Sequence, residues 1–236
     1  EYFDKQKIQK VDQDVGFEIF GNWSRSNPQK SFKIIASGRY GPGSIDYQIF
    51  PDKNIISFKQ ITLRNAGNDW NVLHFRDAFM HKLCLKATDI DVQDYQPALV
   101  FINGEYWGVY NIREKINTNY IASNHGINSD SIDLLQYNGY VMSGTIDDFN
   151  NFGTFVISND MSDSANYSVV KNWLDIENFA DYFAIETWSE NGDWLVNNVR
   201  YWRERKAGAK WRHILWDLDF FGTGWWPFTA NSLDTN

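Results

Sequence analysis

What the chain has little of narrows its chemistry first. It carries one cysteine, Cys84, so no internal disulfide can form and no CxxC zinc site exists. Cys84 sits in the apolar string K-L-C-L and is expected to be a buried structural thiol. Four histidines occur without an HExxH pair, which removes the familiar zinc-hydrolase signature. No stretch is repetitive, heptad-patterned or of low complexity. No apolar run approaches the ~20 residues that a membrane-spanning helix needs, and no signal peptide opens the segment. Basic residues are outnumbered 22 to 30, for a net charge of −8. Nucleic-acid binding calls for a basic face, so nucleic acid is not an expected partner. A nucleotide such as ATP stays open, because local Lys and Arg decide that.

What is present is apolar and aromatic. Of 236 residues, 43% are hydrophobic and 17% aromatic, with 11 Trp. This is enough for a substantial core in one large domain or two small ones, with aromatics to spare for lining a site. The opening E-Y-F-D-K reads as mid-domain sequence and the chain ends soon after its most acidic stretch. The expectation is therefore of a fragment, truncated at its C-terminus.

Periodicity predicts an α+β fold. V-G-F-E-I-F alternates as a strand, and K-S-F-K-I-I-A reads as another, with Lys30 on the face of Phe32 and Ile34 and Lys33 opposite. A strand over 55–63 leads to L-R-N-A-G-N-D-W, and a helix is expected from about Val72 to Lys86, with Phe75, Phe79 and Leu83 in one stripe. Asn103-Gly104 marks a two-residue hairpin turn, in whose return strand Tyr110, Ile112 and Glu114 share a face. Residues 118–126 read as a short helix and D-S-I-D-L-L-Q-Y as a strand. The polar segment 138–164 looks inserted, with one helical turn at I-D-D-F-N-N-F. W-L-D-I-E-N-F-A-D-Y-F-A-I-E-T-W is an amphipathic helix, capped by Asp175 three residues before Asn178. Its expected inner face is Phe179, Phe183, Ala180 and Ala184.

The chemistry concentrates between Asn191 and Gly222. This stretch holds Asp193, Asp217 and Asp219 with the adjacent amides Asn197 and Asn198, among aromatic and β-branched residues. Acids at the edge of a core are costly unless cations or donors meet them. Metal-assisted phosphoryl transfer uses such a set, with one Asp to orient the attacking hydroxyl and an Asn and a second Asp to hold Mg²⁺. Asp193-x-x-x-x-Asn198 has the spacing of the protein-kinase catalytic loop, and Asp219-Phe220-Phe221-Gly222 is a loose echo of D-F-G. Lys30 and Glu114, each on an apolar strand face, are candidates for the Lys–Glu pair that positions nucleotide phosphates. Arg64 and Arg76 are further phosphate candidates, with a structural ion pair as the competing reading. S-G-R-Y-G-P-G-S lacks both GxGxxG and the P-loop Lys-Ser/Thr.

Taken together, these pieces resemble the spore-coat protein H (CotH) kinase family. The residues that carry the resemblance are G-N-W-S-R with P-Q-K-S-F-K-I, L-R-N-A-G-N-D-W with F-R-D-A, I-N-G-E-Y-W-G-V-Y-N-I-R-E, N-W-L-D-I-E-N-F-A-D-Y-F, N-G-D-W-L-V-N-N and W-D-L-D-F-F-G, in the family's order. The resemblance implies a reduced, atypical protein-kinase-like fold of mixed or antiparallel sheet and packed helices. It implies one domain over 1–236, with a strand-rich nucleotide-side lobe over 1–115 and a catalytic, metal-side lobe over 116–236. It further implies a secreted, surface or spore-coat enzyme that uses ATP with Mg²⁺ or Mn²⁺ to phosphorylate Ser/Thr of a coat-type protein. By position, Asp193 would be the catalytic aspartate. Asn198 or its neighbour Asn197 would be a metal ligand, and Asp217 the principal metal-binding aspartate with Asp219 beside it. Lys30 would contact phosphates and Glu114 would pair with it or with the metal. The family's Gly-rich nucleotide loop is not recognisable in this chain.

Two other readings compete. Trp23, Trp70, Trp107, Trp194, Trp225 and Trp226 lie in or near loops and could form the stacking platform of a non-catalytic, carbohydrate-binding surface module. Asp217 and Asp219 could also serve a metal-dependent hydrolase, although a two-metal site needs more carboxylate and His ligands than this cluster offers.

Overall fold

The computed structural model describes residues 1–195 and 197–222. The expected α+β class is what the chain forms, with five α-helices and antiparallel sheets among the described residues, divided between two compact units. The first unit comprises 1–82 and 93–124, the second 83–92 and the chain from 125 onward.

The first unit opens with a small hairpin, β1 (Tyr2–Phe3) and β2 (Gln9–Val11). Its main sheet has five antiparallel strands in the order β3 (Gly16–Phe20), β4 (Ser31–Ile35), β7 (Gln60–Arg64), β9 (Glu105–Glu114), β8 (Tyr95–Ile102). A short pair, β5 (Ile45–Asp46) and β6 (Ser57–Phe58), lies between β4 and β7 in sequence. The β8–β9 turn is Asn103-Gly104, with φ of 52° and 81°, the left-handed pair that a two-residue hairpin demands. Trp107 is the extra residue of a bulge, since Val100 faces Gly108 while Phe101 faces Tyr106. The core packs Phe32, Phe50, Phe58, Ile61, Leu63, Tyr110 and Ile112. From Tyr110 to Glu114 β9 is buried on both faces, Tyr110, Ile112 and Glu114 on one and Asn111 and Arg113 on the other. Helix α2 (Thr118–His125) follows close to its expected bounds.

Helix α1 runs Arg76–Ala87, four residues shorter at its start than expected. Asp69 is the reason: its carboxylate accepts the backbone N–H groups of Leu73 and Arg76, both at 3.0 Å, and His74 turns left-handed at φ 67°. These bonds satisfy donors in a turn that a helix would otherwise have to meet. The apolar stripe is also corrected. Phe75, Phe79 and Leu83 are about half exposed, and Asp77, Ala78, Met80, His81 and Cys84 are buried instead. Asp77 holds that polar face in, meeting Arg113, Arg64 at 3.5 Å and His81 at 3.1 Å.

The second unit has a four-stranded antiparallel sheet in the order β11 (Tyr140–Ser143), β10 (Ile132–Gln136), β12 (Arg200–Glu204), β13 (Arg212–Ile214). Segment 138–164 packs against the core through partly buried side chains. Helix α3 (Asp147–Ser158) continues well past the single expected turn, because Phe149, Phe152, Phe155 and Val156 recur at helical spacing and pack with Leu135, Tyr201 and Trp211. Helix α4 (Ser164–Trp173), which the sequence pattern did not reveal, is capped by Asp163. Among the described residues no helix is long and apolar enough to cross a membrane.

Candidate functional site

Helix α5 (Ile176–Trp188) builds the acidic site. Asp175 caps it as expected, accepting the Asn178 N–H at 3.2 Å. The inner face is not the expected one. Phe179, Phe183 and both alanines are exposed, and the buried residues are Asn178, Tyr182 and Glu186, at i, i+4 and i+8. Each has a polar task that exposed water would otherwise perform. Asn178 brackets β13, its amide donating to the His213 carbonyl at 3.2 Å and accepting the His213 N–H at 2.6 Å. Tyr182 Oη accepts the indole N–H of Trp194 at 2.9 Å. Glu186 Oε2 accepts the side-chain amide of Asn191 at 2.8 Å. Burial, reinforced by the charge of Glu186, pushes the Tyr182 hydroxyl well above its ordinary value, so it stays a neutral acceptor.

Between these two anchored residues, Asn191 and Trp194, lies Asp193. Its Oδ2 accepts Asn197 Nδ2 at 2.9 Å and Asn198 Nδ2 at 2.8 Å. Desolvation raises the Asp193 carboxyl above its ordinary value, the two amides oppose that rise, and the charge of Asp217 adds to it. The residues expected to act together, Asp193, Asn198 and Asp217, thus share one electrostatic neighbourhood. Two of them are held in uncommon backbone conformations, Asn198 at φ 58° and Asp217 at 63°, as is Leu195 in the same loop at 70°. Left-handed non-glycine residues of this kind concentrate where a side chain must be aimed. Asp219 is buried at 2% exposure, and Phe221, two residues on, stacks on Trp188 at the end of α5 with ring centroids 5.8 Å apart.

The donor set suits a hard divalent cation. It offers carboxylate and amide oxygens, with no His or Cys among the expected ligands. Because Asn198 spends its Nδ2 on Asp193, its carbonyl oxygen is the atom that a cation would take. Among the described residues there is no group of three or more His, Cys, Asp or Glu that could hold a metal by itself. Mg²⁺ ordinarily takes one or two carboxylates and completes its shell with phosphates and water, so the set fits that ion and does not fit a two-metal hydrolase.

In the first unit, Lys30 does not pair with Glu114. Strand β4 begins at Ser31, so the two-residue period does not carry back to Lys30. Its ammonium turns onto the carbonyls of Arg25 and Asn27, both at 2.7 Å. Lys53, absent from the sequence expectations, takes the position: its Nζ lies 2.5 Å from Glu114 Oε2 and 2.8 Å from Asn124 Oδ1. Glu114 also accepts the Asp94 N–H at 2.8 Å and Asn124 Nδ2 at 3.0 Å. Lys53 sits in a turn with no strand period to flag it, so only the buried carboxylate on β9 could have signalled that some lysine must come to it. Arg64 and Arg76 are placed in ion pairs, Arg64 with Asp77 and Arg76 with Asp69 at 3.3 Å.

The motif L-R-N-A-G-N-D-W is organised by Asn65, wholly buried. It accepts Ser31 Oγ at 2.8 Å and the Gly67 N–H at 3.0 Å, and donates to the Gln29 carbonyl at 2.6 Å. Of the loop tryptophans, Trp23 is exposed, Trp107 is partly exposed against Phe32, and Trp194 is buried. Trp225 and Trp226 lie outside the described residues. Cys84 is a buried free thiol as expected, its pKa pushed up to about 11 by burial first and then by the charges of Glu186 and Asp181.

Fold and site together define an α+β protein with an oxygen-rich carboxylate–amide loop held by one helix. The family model of the CotH kinase protein matches residues 17–235, nearly the entire chain, and the chain belongs to that family. A search of the curated proteins finds no match.

Proposed function

We propose that the chain is a metal-dependent phosphotransferase of the atypical protein-kinase type, which moves the γ-phosphoryl group of ATP to a Ser or Thr hydroxyl of a surface or coat-type protein. The observation that carries this reading is the arrangement of Asp193. Its carboxylate is held by the amides of Asn197 and Asn198 and feels the charge of Asp217. The raised proton affinity of Asp193 suits a group that orients a substrate hydroxyl and accepts its proton. The carbonyl oxygen of Asn198 and the carboxylate of Asp217 are the metal ligands in this reading, with Asp219 a supporting acid. A bound Mg²⁺ or Mn²⁺ would neutralise charge on the β- and γ-phosphates. The resemblance assigns the phosphates to a lysine paired with Glu114, and in this proposal that lysine is Lys53 in place of Lys30, because Lys53 is the lysine that meets Glu114.

The test is ligand-induced stabilisation. ATP with Mn²⁺ at 100 times its dissociation constant should add about 2.7 kcal/mol of stability. Asp217→Ala should remove most of the metal-dependent part. An unchanged shift in that variant would discard the metal assignment, and no shift in the parent protein would discard the nucleotide.

A further inference from the structure

Tyr182 and Glu186 lie one helical turn apart on the buried face of α5, and each holds one residue of the acidic loop. Tyr182 takes Trp194 through the indole N–H, and Glu186 takes Asn191 through its side-chain amide. The backbone repeats the pattern: the Trp194 N–H donates to the Asn191 carbonyl at 3.0 Å, and the Asn191 N–H to the Glu186 carbonyl at 3.4 Å. Asp193 is thereby fixed on both sides, by Asn191 two residues before it and Trp194 immediately after it. All four anchoring residues are almost fully buried: Tyr182 at 2%, Glu186 and Asn191 at 0%, and Trp194 at 1%. Two polar side chains on the inner face of a helix are expensive unless they are used. Phenylalanine and leucine at 182 and 186 would pack there without that cost.

We infer that Tyr182 and Glu186 are positioning residues for the Asp193 carboxylate, a paired clamp by which α5 sets the angle at which Asp193 meets the amides of Asn197 and Asn198. This rests on the phosphotransferase reading for its catalytic consequence but not for its geometry. Tyr182 and Glu186 touch neither substrate nor metal in this account. They act through Trp194 and Asn191. The third attachment, Phe221 on Trp188, places the D-F-F-G segment on the same helix, so α5 carries both acidic segments.

The experiment uses the whole chain with Tyr182→Phe, Glu186→Gln, Glu186→Ala and Trp194→Phe, each checked for folding by circular dichroism. The first readout needs no ligand: the side-chain amide NMR signals of Asn197 and Asn198, which report their bonds to Asp193. Tyr182→Phe and Glu186→Ala should move both signals toward those of a solvated amide, and Glu186→Gln, which retains an acceptor oxygen, should restore much of the difference. The second readout is ATP turnover with Mn²⁺. A displacement of about 1 Å costs on the order of 100-fold, so kcat should fall about 10- to 100-fold with KM for ATP little changed. Tyr182→Phe combined with Trp194→Phe should cost less than the two effects multiplied, since both break one bond. Folded variants whose Asn197 and Asn198 signals stay at parental positions would overturn the clamp. If Tyr182→Phe does not fold, Glu186→Gln against Glu186→Ala decides. Displaced amide signals in a protein whose parent shows no ATP turnover would retain the clamp and reject the phosphotransferase reading.

Discussion

Lys53 and Glu114 form a buried ion pair 2.5 Å across, with side chains 8% and 3% exposed. The pair joins a turn residue to the end of a central strand. Its charges are met on every side available: Asn124 bridges both partners, and the Asp94 N–H reaches the carboxylate. Removing one member of such a pair leaves a charge in a dry site. Lys53→Met is expected to lower unfolding stability by about 3 kcal/mol, read as a shift of the denaturant midpoint. Lys30→Met, by contrast, removes only contacts to two loop carbonyls and should cost under about 1.5 kcal/mol. If phosphate contact belongs to Lys53, ATP stabilisation disappears in the first variant and survives in the second.

Asp193→Asn keeps the side-chain shape and removes the proton acceptor. Turnover with ATP and Mn²⁺ should drop by about 10²- to 10⁴-fold, while ATP-induced stabilisation persists. Loss of both together would show that Asp193 serves binding and not proton transfer.

Asp217→Asn should test the metal assignment. Asp217 is left-handed at φ 63°, a conformation that Asn tolerates well, and its charge works against that of Asp193. The variant relieves the repulsion on Asp193 and is expected to lose the Mn²⁺-dependent part of the ATP shift while remaining folded. Acids kept in strained, mutually repelling places are a common cost of a working site. An intact Mn²⁺ effect in the folded variant would reverse the assignment.

His81 makes stability fall with acid. It is wholly buried and accepts the Gln93 N–H on Nδ1 at 3.1 Å. Desolvation lowers its pKa to about 4, with Asp77 opposing that change. Since the unfolded chain holds the proton more tightly, stability is full above the unfolded value near 6.5 and declines as pH falls toward 4. Between pH 7 and pH 5.5 the loss from this residue should be about 1 kcal/mol. His213 is shifted the same way by burial. Burial works to raise the Asp77 carboxyl, but the charges of Arg113 and Arg64 and the hydrogen bond from His81 hold it well below the usual carboxylate range. Its contribution is therefore lost only below the range of the histidines. A melting-temperature series in buffers from pH 7 to 5.5 should slope downward, and His81→Gln should flatten it.

Asp175 both caps α5 and meets Arg212 Nη1 at 2.5 Å. Asp175→Ala should cost about 1–2 kcal/mol, and Asp175→Ser, which keeps the cap and loses the ion pair, should recover about half. Equal losses in the two variants would assign the whole effect to Arg212.

Local chemistry was legible wherever it depended on neighbours in the chain. Asn103-Gly104 announced its hairpin, Asp175 its helix cap, and the alternation of Tyr110, Ile112 and Glu114 its inward carboxylate. The order of acids and amides from Asn191 to Gly222 was enough to place Asp193 with Asn198. On α1 and α5 the apolar stripe is not the inner face, because both helices bury polar residues that have distant partners. Asp77 goes inward to meet Arg113 from β9, and Asn178 goes inward to bracket β13. Neither partner is visible from the helix's own period.

By itself, the sequence determined the α+β class, the hairpin and cap positions, the family, and the acidic residues around which the candidate site forms. These follow from short-range stereochemistry and from motif spacing along one chain. The tertiary structure alone decided that Lys53 and not Lys30 meets Glu114, that segment 138–164 lays a full helix against the core, and that Tyr182 and Glu186 hold the Asp193 loop. The physical reason is common to all three. A buried polar or aromatic group must be met by some partner, but which one comes to it depends on chain segments tens of residues away.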